Sequence, residues 1–242
     1  DEELAFFLGC LVGDGFVASG QDDHRIGVTV AHTSYLMTEM PLLMKRLFGE
    51  YLTVHQLQKA DDASCTFVLD NRAVKDFLTL NGLLKGRSIN ARVPRSIRQS
   101  TPEVVGAFLR GLFEADGSPS HHYPQLMSAS EGLIREVAAL LVGLGCPATV
   151  RQQPHDMTGH YGDAPIWALR VHSHVGLAAW QTRIGCDSRS RFSACLDFAP
   201  DLTRETSYNL PNPAYWVEPV LEATRLPQID ARGQGENFRA TS

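Results

Sequence analysis

The sequence predicts an α+β fold in which one unit is used twice, and three observations lead to it. A segment recurs 102 residues on: Ala5-Phe-Phe-Leu-Gly-Cys-Leu-Val-Gly-Asp-Gly15 returns as Ala107-Phe-Leu-Arg-Gly-Leu-Phe-Glu-Ala-Asp-Gly117. After each copy, strand-like alternation and helix-like spacing come in the same order. Composition is that of an ordinary globular chain, 43% hydrophobic and 20% charged over 242 residues, with ample length for a core. The recurrence divides the chain into a first half with its linker (1–98), a second half (99–196) and a tail (197–242).

Each recurring segment is apolar and helix-length. In the first half, residues 26–32 alternate as a strand, and 34–48 carry Leu36, Met40, Leu43 and Leu47 at helical spacing despite Pro41. Residues 53–59 and 64–70 read as a hairpin around Ala60-Asp61-Asp62-Ala63, and 71–84 as a helix. The linker holds Val93-Pro94-Arg95-Ser96-Ile97, and Thr101-Pro102-Glu103 supplies an N-cap and a first-turn proline. In the second half a strand is expected at 125–129, a helix at 131–144 ended by Gly145, a hairpin of 148–153 and 166–172, and a helix at 175–184. The match drifts in register. His32-Thr33-Ser34 answers Ser128-Ala129-Ser130 at an offset of 96, so six extra residues belong in the first hairpin, where Ser19–His24 is polar. Further on, Val68 with Val171, Phe77 with Trp180 and Gly82 with Gly185 align at an offset of 103. A duplication with small insertions explains every offset.

The recurring segment also carries chemistry. Ala5, Gly9 and Gly13, and Ala107, Gly111 and Ala115, put a small residue at every fourth position, on one helix face. Such a stripe costs helix propensity and is explained by two backbones in close approach, so the two helices are expected to pack on each other about a pseudo-twofold axis. Gly15 and Gly117 suit the left-handed position that ends a helix. Asp14 and Asp116 then sit at two neighbouring helix C-termini, where the helix dipoles and each other's charge disfavour bare carboxylates. A divalent cation reverses that balance and, with substrate phosphates completing its shell, would hydrolyse phosphodiesters. A single Asp-Gly pair is usually just a helix end and a turn; two copies behind matching stripes favour the chemical reading. Glu114 reads as a helix-surface acid in preference to a second-metal ligand.

At these residues the chain resembles the single-chain, double-motif LAGLIDADG homing endonucleases. Leu109–Gly117 is the nearer match, and Phe7–Gly15 is similar to the Gly-Asp-Gly variant of intein-borne members. The resemblance covers about residues 1–196. It implies two αββαββα halves with saddle-shaped antiparallel sheets around a central helix pair, a long asymmetric duplex DNA target, and cleavage of both strands with short 3′ overhangs. It places the metals on Asp14 and Asp116, with Gly13 and Ala115 in the metal set. Mg²⁺ is the expected cofactor, with Ca²⁺ supporting binding without cleavage. It also implies a catalytic role for Lys59. The register puts His155 opposite Lys59. All four lysines (45, 59, 75, 85) lie in the first half. Either His155 or Arg151 substitutes in the second half, or the two strand cuts are unequal. An RNA maturase or a non-cleaving DNA-binding regulator is the alternative; retention of both aspartates disfavours it.

Groove-facing strands need polar and basic side chains at alternate positions. His55, Gln56, Gln58 and Lys59 are the candidates in one half and Arg151, Gln152, Gln153 and His155 in the other, with Arg25 and Arg170 as weaker ones. Net charge is −5, against a generic DNA binder. The distribution offsets this: 85–98 hold five basic residues and no acid, while 197–242 carry four Arg against seven acids. Five scattered Cys lack metal spacing and read as buried thiols in a reducing compartment. The acidic start and the lack of a spanning apolar run argue against a signal peptide or membrane helix, so the expectation is a cytoplasmic or nucleoid-associated chain that is not secreted; the resemblance to single-chain enzymes implies a monomer. Asp1 at the start and Phe238–Ser242 at the end lack splicing chemistry, so the chain as given is not expected to splice itself, and an intein-borne, an intron-borne and a free-standing endonuclease all stay open.

Overall fold

Local signals account for where each element begins and ends. The structure, a computed structural model, describes residues 1–58, 62–82, 88–121, 123–153 and 165–196. Helix α1 spans Glu2–Asp14 and is opened by Asp1, whose carboxylate accepts from the Leu4 amide at 2.9 Å. The first half continues as β1 (Gly15–Val17), β2 (Arg25–Ala31), α2 (Leu36–Phe48), β3 (Val54–Leu57), β4 (Ser64–Asp70) and α3 (Arg72–Leu80). Asn71 caps α3 by accepting from the Val74 amide at 3.0 Å. A short α4 (Arg95–Arg98) lies in the linker. The second half repeats the order as α5 (Pro102–Asp116), β5 (Gly117–Ser120), β6 (Tyr123–Ser128), α6 (Glu131–Gly143), β7 (Thr149–Gln153), β8 (Ile166–Arg170) and α7 (His174–Arg183), followed by α8 (Ser193–Leu196). Ser130 and Ser173 cap α6 and α7. Every described residue belongs to one compact unit.

The strands form two antiparallel sheets of matching order, β1-β2-β4-β3 and β5-β6-β8-β7. One rung of the first runs Ile26–Leu69–Val54, and the matching rung of the second runs Leu126–Leu169–Val150. These side chains face the helices and join one continuous apolar core. The rungs correct part of the expected register. Leu69 answers Leu169, so Val68 has no counterpart in Val171. Likewise Leu78, fully buried, takes the place of Trp180, while Phe77 is 42% exposed. Aromatic character is a poor guide to this alignment; the inward face of α3 decides it.

The helix pair at the centre is held by backbone contact. A Cβ added at Gly9 would strike the carbonyl oxygen of Phe108 and stand 2.6 Å from the Leu112 nitrogen; one at Gly111 would strike the carbonyl of Phe6. Further along, a Cβ at Gly13 would lie 2.7 Å from Ala115 Cβ. Ala5 and Ala107 are buried on the same helices. Across this seam the Cys10 thiol donates to the Gly111 carbonyl at 3.3 Å.

The expected left-handed turns after the motifs do not form. Gly15 and Gly117 are extended (φ −106° and −83°), and the chain passes straight from each helix into β1 or β5. Glycine is needed there for space: a Cβ at Gly15 would lie 2.6 Å from Leu11 Cα, and one at Gly117 2.6 Å from the Phe113 carbonyl oxygen.

The basic linker is largely occupied with packing. Val93 N donates to Glu136 Oε2 at 2.8 Å, and the guanidinium groups of Arg92 and Arg98 pair with the same carboxylate. Lys85 and Arg87 lie outside the described residues. Four thiols, Cys10, Cys65, Cys146 and Cys195, are buried, and Cys186 is half-buried. Among the described residues no helix is long and apolar enough to cross a membrane.

These contacts give opposite expectations for two glycines. Gly111→Ala should lower stability by about 2–3 kcal/mol, because the facing backbone cannot move aside. Gly143→Ala, in helix α6 with open space around it, should raise it by roughly 0.5 kcal/mol. Urea unfolding midpoints of the two variants check this; equal midpoints would contradict the backbone seam.

Candidate metal centre and nucleic-acid interface

Asp14 and Asp116 are the last residues of α1 and α5, and both side chains are exposed. The seam brings the two helix ends together: a Cβ at Gly13 would lie 3.3 Å from Asp116 Cβ. Two carboxylates, the carbonyls of the last turns and two negative helix ends thus gather at one place. The donor set is entirely hard oxygen, which fits a Mg²⁺-like cation that keeps ligand positions for phosphate. Among the described residues no group of three or more His, Cys, Asp or Glu side chains converges, so such a cation would rest on this pair, with Gly13 and Ala115 as neighbouring carbonyl donors.

Two neighbours of this centre come from far along the chain or from an unexpected face. Arg191 sends one guanidinium nitrogen to three carbonyls of the last turn of α5: Phe113 at 3.2 Å, Glu114 at 2.8 Å and Ala115 at 3.0 Å. A cation there offsets the helix dipole and fixes the turn that carries Asp116. Phe192, next in sequence, anchors the segment by packing edge-on to Phe113 at 6.1 Å between ring centroids. Glu114 lies inward, 6% exposed, contrary to the expected surface position, and its Oε1 has no partner among the described residues. Burial raises its pKa, against the opposing effects of a hydrogen bond from Ser190 and the charge of Arg191. Burial, then the charges of Glu114 and Asp14, push the Cys10 thiol far up, so it stays protonated as a donor.

Strand alternation sorts the expected DNA-contacting residues. In the second sheet Thr149, Arg151 and Gln153 share the face away from the helices with Arg170, Ala168, Gln125 and Met127. Gln152 pairs with Trp167 on the opposite face, where Arg135 of α6 lies over the indole. In the first sheet His55 and Leu57 occupy the open face with Arg25 and Thr29, whereas Gln56 pairs with Phe67 on the helix face. Gln56 and Gln152 are therefore displaced from the open faces by the two-residue period of a strand. Gln58 lies past the end of β3 and is exposed. Lys59 and His155 lie outside the described residues.

The two open faces differ in character. Arg25 is tied to Asp23 through two bonds of 2.9 and 2.8 Å, which hold the Asp23 carboxyl down at about 2. Phe16 lies over Gly27 on the same face. Lys75, the one buried lysine among the described residues, donates to the carbonyls of Gly20 and Asp23 and pins the loop between β1 and β2. On the second face Arg151 is exposed, and Arg170 bonds to Gln125 and Ser120. Sequence reasoning missed Gln125, Ser120 and Arg191, and placed Glu114 on the surface where it is buried. Alternation from Met127 would have placed Gln125; nothing local signals Arg191.

Comparison with known proteins bears on the fold. A family model described as a LAGLIDADG-like domain matches residues 103–192. The replication factor C small subunit of Methanocaldococcus jannaschii is 26% identical over 153 residues, which are 63% of this chain; the match spans only 8% of that protein's length. Among solved structures, the homing endonuclease I-DmoI in complex with DNA and Mn superposes with a TM-score of 0.58 at 17% identity, covering 76% of this chain and 96% of that one. Full-length DUF199/WhiA from Thermatoga maritima gives a TM-score of 0.52 at 13% identity over 93% of this chain and 68% of that one. The fold is the two-motif LAGLIDADG fold.

The buried carboxyl generates a pH-dependent expectation. A folded pKa raised above the unfolded value means stability present at low pH and lost as pH rises through the carboxylate range. Glu114→Gln should therefore melt higher than the unmodified chain at about pH 8 and close to it at about pH 4. Thermal melts at the two pH values read this directly. An equal deficit at both would show that Glu114 contributes by shape rather than by charge.

Proposed function

We propose that this chain, a protein of LAGLIDADG fold with a LAGLIDADG-like domain at residues 103–192, is a metal-dependent, site-specific double-strand DNA endonuclease of the homing type. The observation that carries the reading is the meeting of Asp14 and Asp116 at the ends of two helices in backbone contact. Two exposed carboxylates at neighbouring negative helix ends suit a hard cation held between protein and phosphate. I-DmoI, which shares the fold, has been solved with DNA and Mn and with DNA and Ca.

In this reading Asp14 and Asp116, with the carbonyls of Gly13 and Ala115, would hold Mg²⁺, which would supply a Lewis acid and a water of lowered pKa. Arg191 keeps the last turn of α5 in place, and Lys59 stands as the candidate to stabilise the phosphate in the transition state. The halves 1–98 and 99–196 each contribute one open sheet face to one half of a long asymmetric duplex. Arg25, His55, Gln58 and Lys59 serve the first, and Arg151, Gln153, His155 and Arg170 the second. One chain supplies both motifs, so the active species is a monomer, acting on intracellular DNA and borne on an intein or intron. Cleavage leaves short 3′ overhangs, and Ca²⁺ supports binding without cutting.

A randomised duplex library incubated with Mg²⁺ or Ca²⁺, followed by sequencing of broken ends, tests this. Defined double-strand breaks with Mg²⁺ alone are expected, and Asp14→Asn or Asp116→Asn should slow them by about 100-fold or more. Tight duplex or RNA binding without breaks would replace the nuclease with a regulator or a maturase. Arg25 supplies a separate expectation. Freed by Asp23→Asn, it should strengthen duplex binding and steepen the dependence of log K on log salt by about one. An unchanged slope would remove Arg25 from the interface.

A further inference from the structure

On the open face of the second sheet, Tyr123, Gln125, Arg151, Gln153, Arg170 and His172 line a hollow of about 220 Å³. Gln125 and Arg170 face each other on one rung of the β6–β8 pair. Gln125 is 7% exposed, unusually buried for an amide on the face away from the core. Its Oε1 accepts from Arg170 Nε at 3.0 Å and from Nη2 at 2.6 Å, and Nη2 also donates to Ser120 Oγ at 2.9 Å. Arg170 has only donors, so the amide atom facing it must be the oxygen, and the amide orientation is fixed by chemistry.

This arrangement decides what the pair can recognise. An unconstrained Gln reads adenine by accepting from N6 and donating to N7. Here both lone pairs of Oε1 are taken by the guanidinium, so Gln125 can offer only its NH₂. Arg170 has spent Nε and both hydrogens of Nη2, which leaves Nη1 without a partner among the described residues. The pair therefore offers donors alone, one from each residue. In the major groove, guanine is the base that presents two acceptors, O6 and N7, side by side; adenine presents one acceptor and one donor.

We infer that Gln125 and Arg170 form a preset donor pair that selects guanine at one position of the DNA target, with Ser120 as the residue that positions the arginine. This rests on the proposed DNA-binding reading and gives that face a base preference. It also reverses the simple expectation that a groove-facing glutamine reads adenine.

The test is selection from a randomised duplex library by the full 242-residue chain in Ca²⁺, with the bound duplexes sequenced for the parent, Gln125→Glu and Arg170→Ala, and thermal melts run alongside. The parent should select guanine over adenine by about tenfold or more at one position. Gln125→Glu keeps an acceptor for Arg170 but removes the NH₂, so that preference should fall to about twofold or less while the other positions and the melting temperature hold. Arg170→Ala should erase the preference at the same position. Three results would overturn the inference: no guanine-selective position in the parent, a preference that survives Gln125→Glu, or a loss spread evenly over all positions. Absence of any sequence-selective duplex binding by the parent would overturn the DNA-binding reading and this inference together. Selection at positions indifferent to both variants would overturn this inference alone.

Discussion

The contact between the backbones of α1 and α5 is the constraint on which the rest of this molecule depends. Gly9 against the Phe108 carbonyl and Gly111 against the Phe6 carbonyl set a helix separation that no side chain can bridge. That separation fixes where the helices end, and so where Asp14 and Asp116 stand. It also dictates how each sheet begins. Gly15 and Gly117 must be small because the chain turns back against Leu11 and Phe113 as it enters the first strand of each sheet. One steric requirement therefore sets the spacing of the two carboxylates and launches both sheets. Cys10 adds a polar tie across the same seam, where burial keeps its thiol protonated.

Much of this is legible in the sequence because it is written in residue types with a single strong reason. The small-residue stripe has little explanation other than close packing, and it locates the central pair. Caps such as Asn71 and Ser173 mark helix starts to within a residue or two. Strand β4 is bounded by turn-forming residues and has the expected limits, Ser64–Asp70. The errors have physical sources too. Aromatic character matches Phe77 to Trp180, although the inward face of α3 is set by helical phase, which selects Leu78. Composition groups the adjacent glutamines and their neighbours as groove readers, although neighbouring strand residues cannot share a face. A left-handed turn is the commonest use of glycine at a helix end; after these two motifs its role is to leave room.

What the sequence could not disclose is long-range. Arg191 reaches carbonyls 76 to 78 residues earlier in the chain, and no periodicity announces such a bond. Glu114 looks like a surface acid on its own helix and becomes buried only because Ser190 and its neighbours fold over it. The inequality of the two open faces is of the same kind. Both halves carry arginines on their strands, but Arg25 is neutralised by Asp23 while Arg170 is oriented by Gln125 and Ser120. Composition counts both as positive charge; only the partners show that one is cancelled and the other is aimed.

The seam has one more consequence. Because α1 and α5 recognise each other through main-chain atoms, the joint is nearly blind to what the two sheets carry. Mutations can accumulate on the outer strands of either half without disturbing the fit at the middle, and the halves are free to diverge at different speeds. A molecule built this way can change the lining of either sheet face while the two carboxylates keep their spacing.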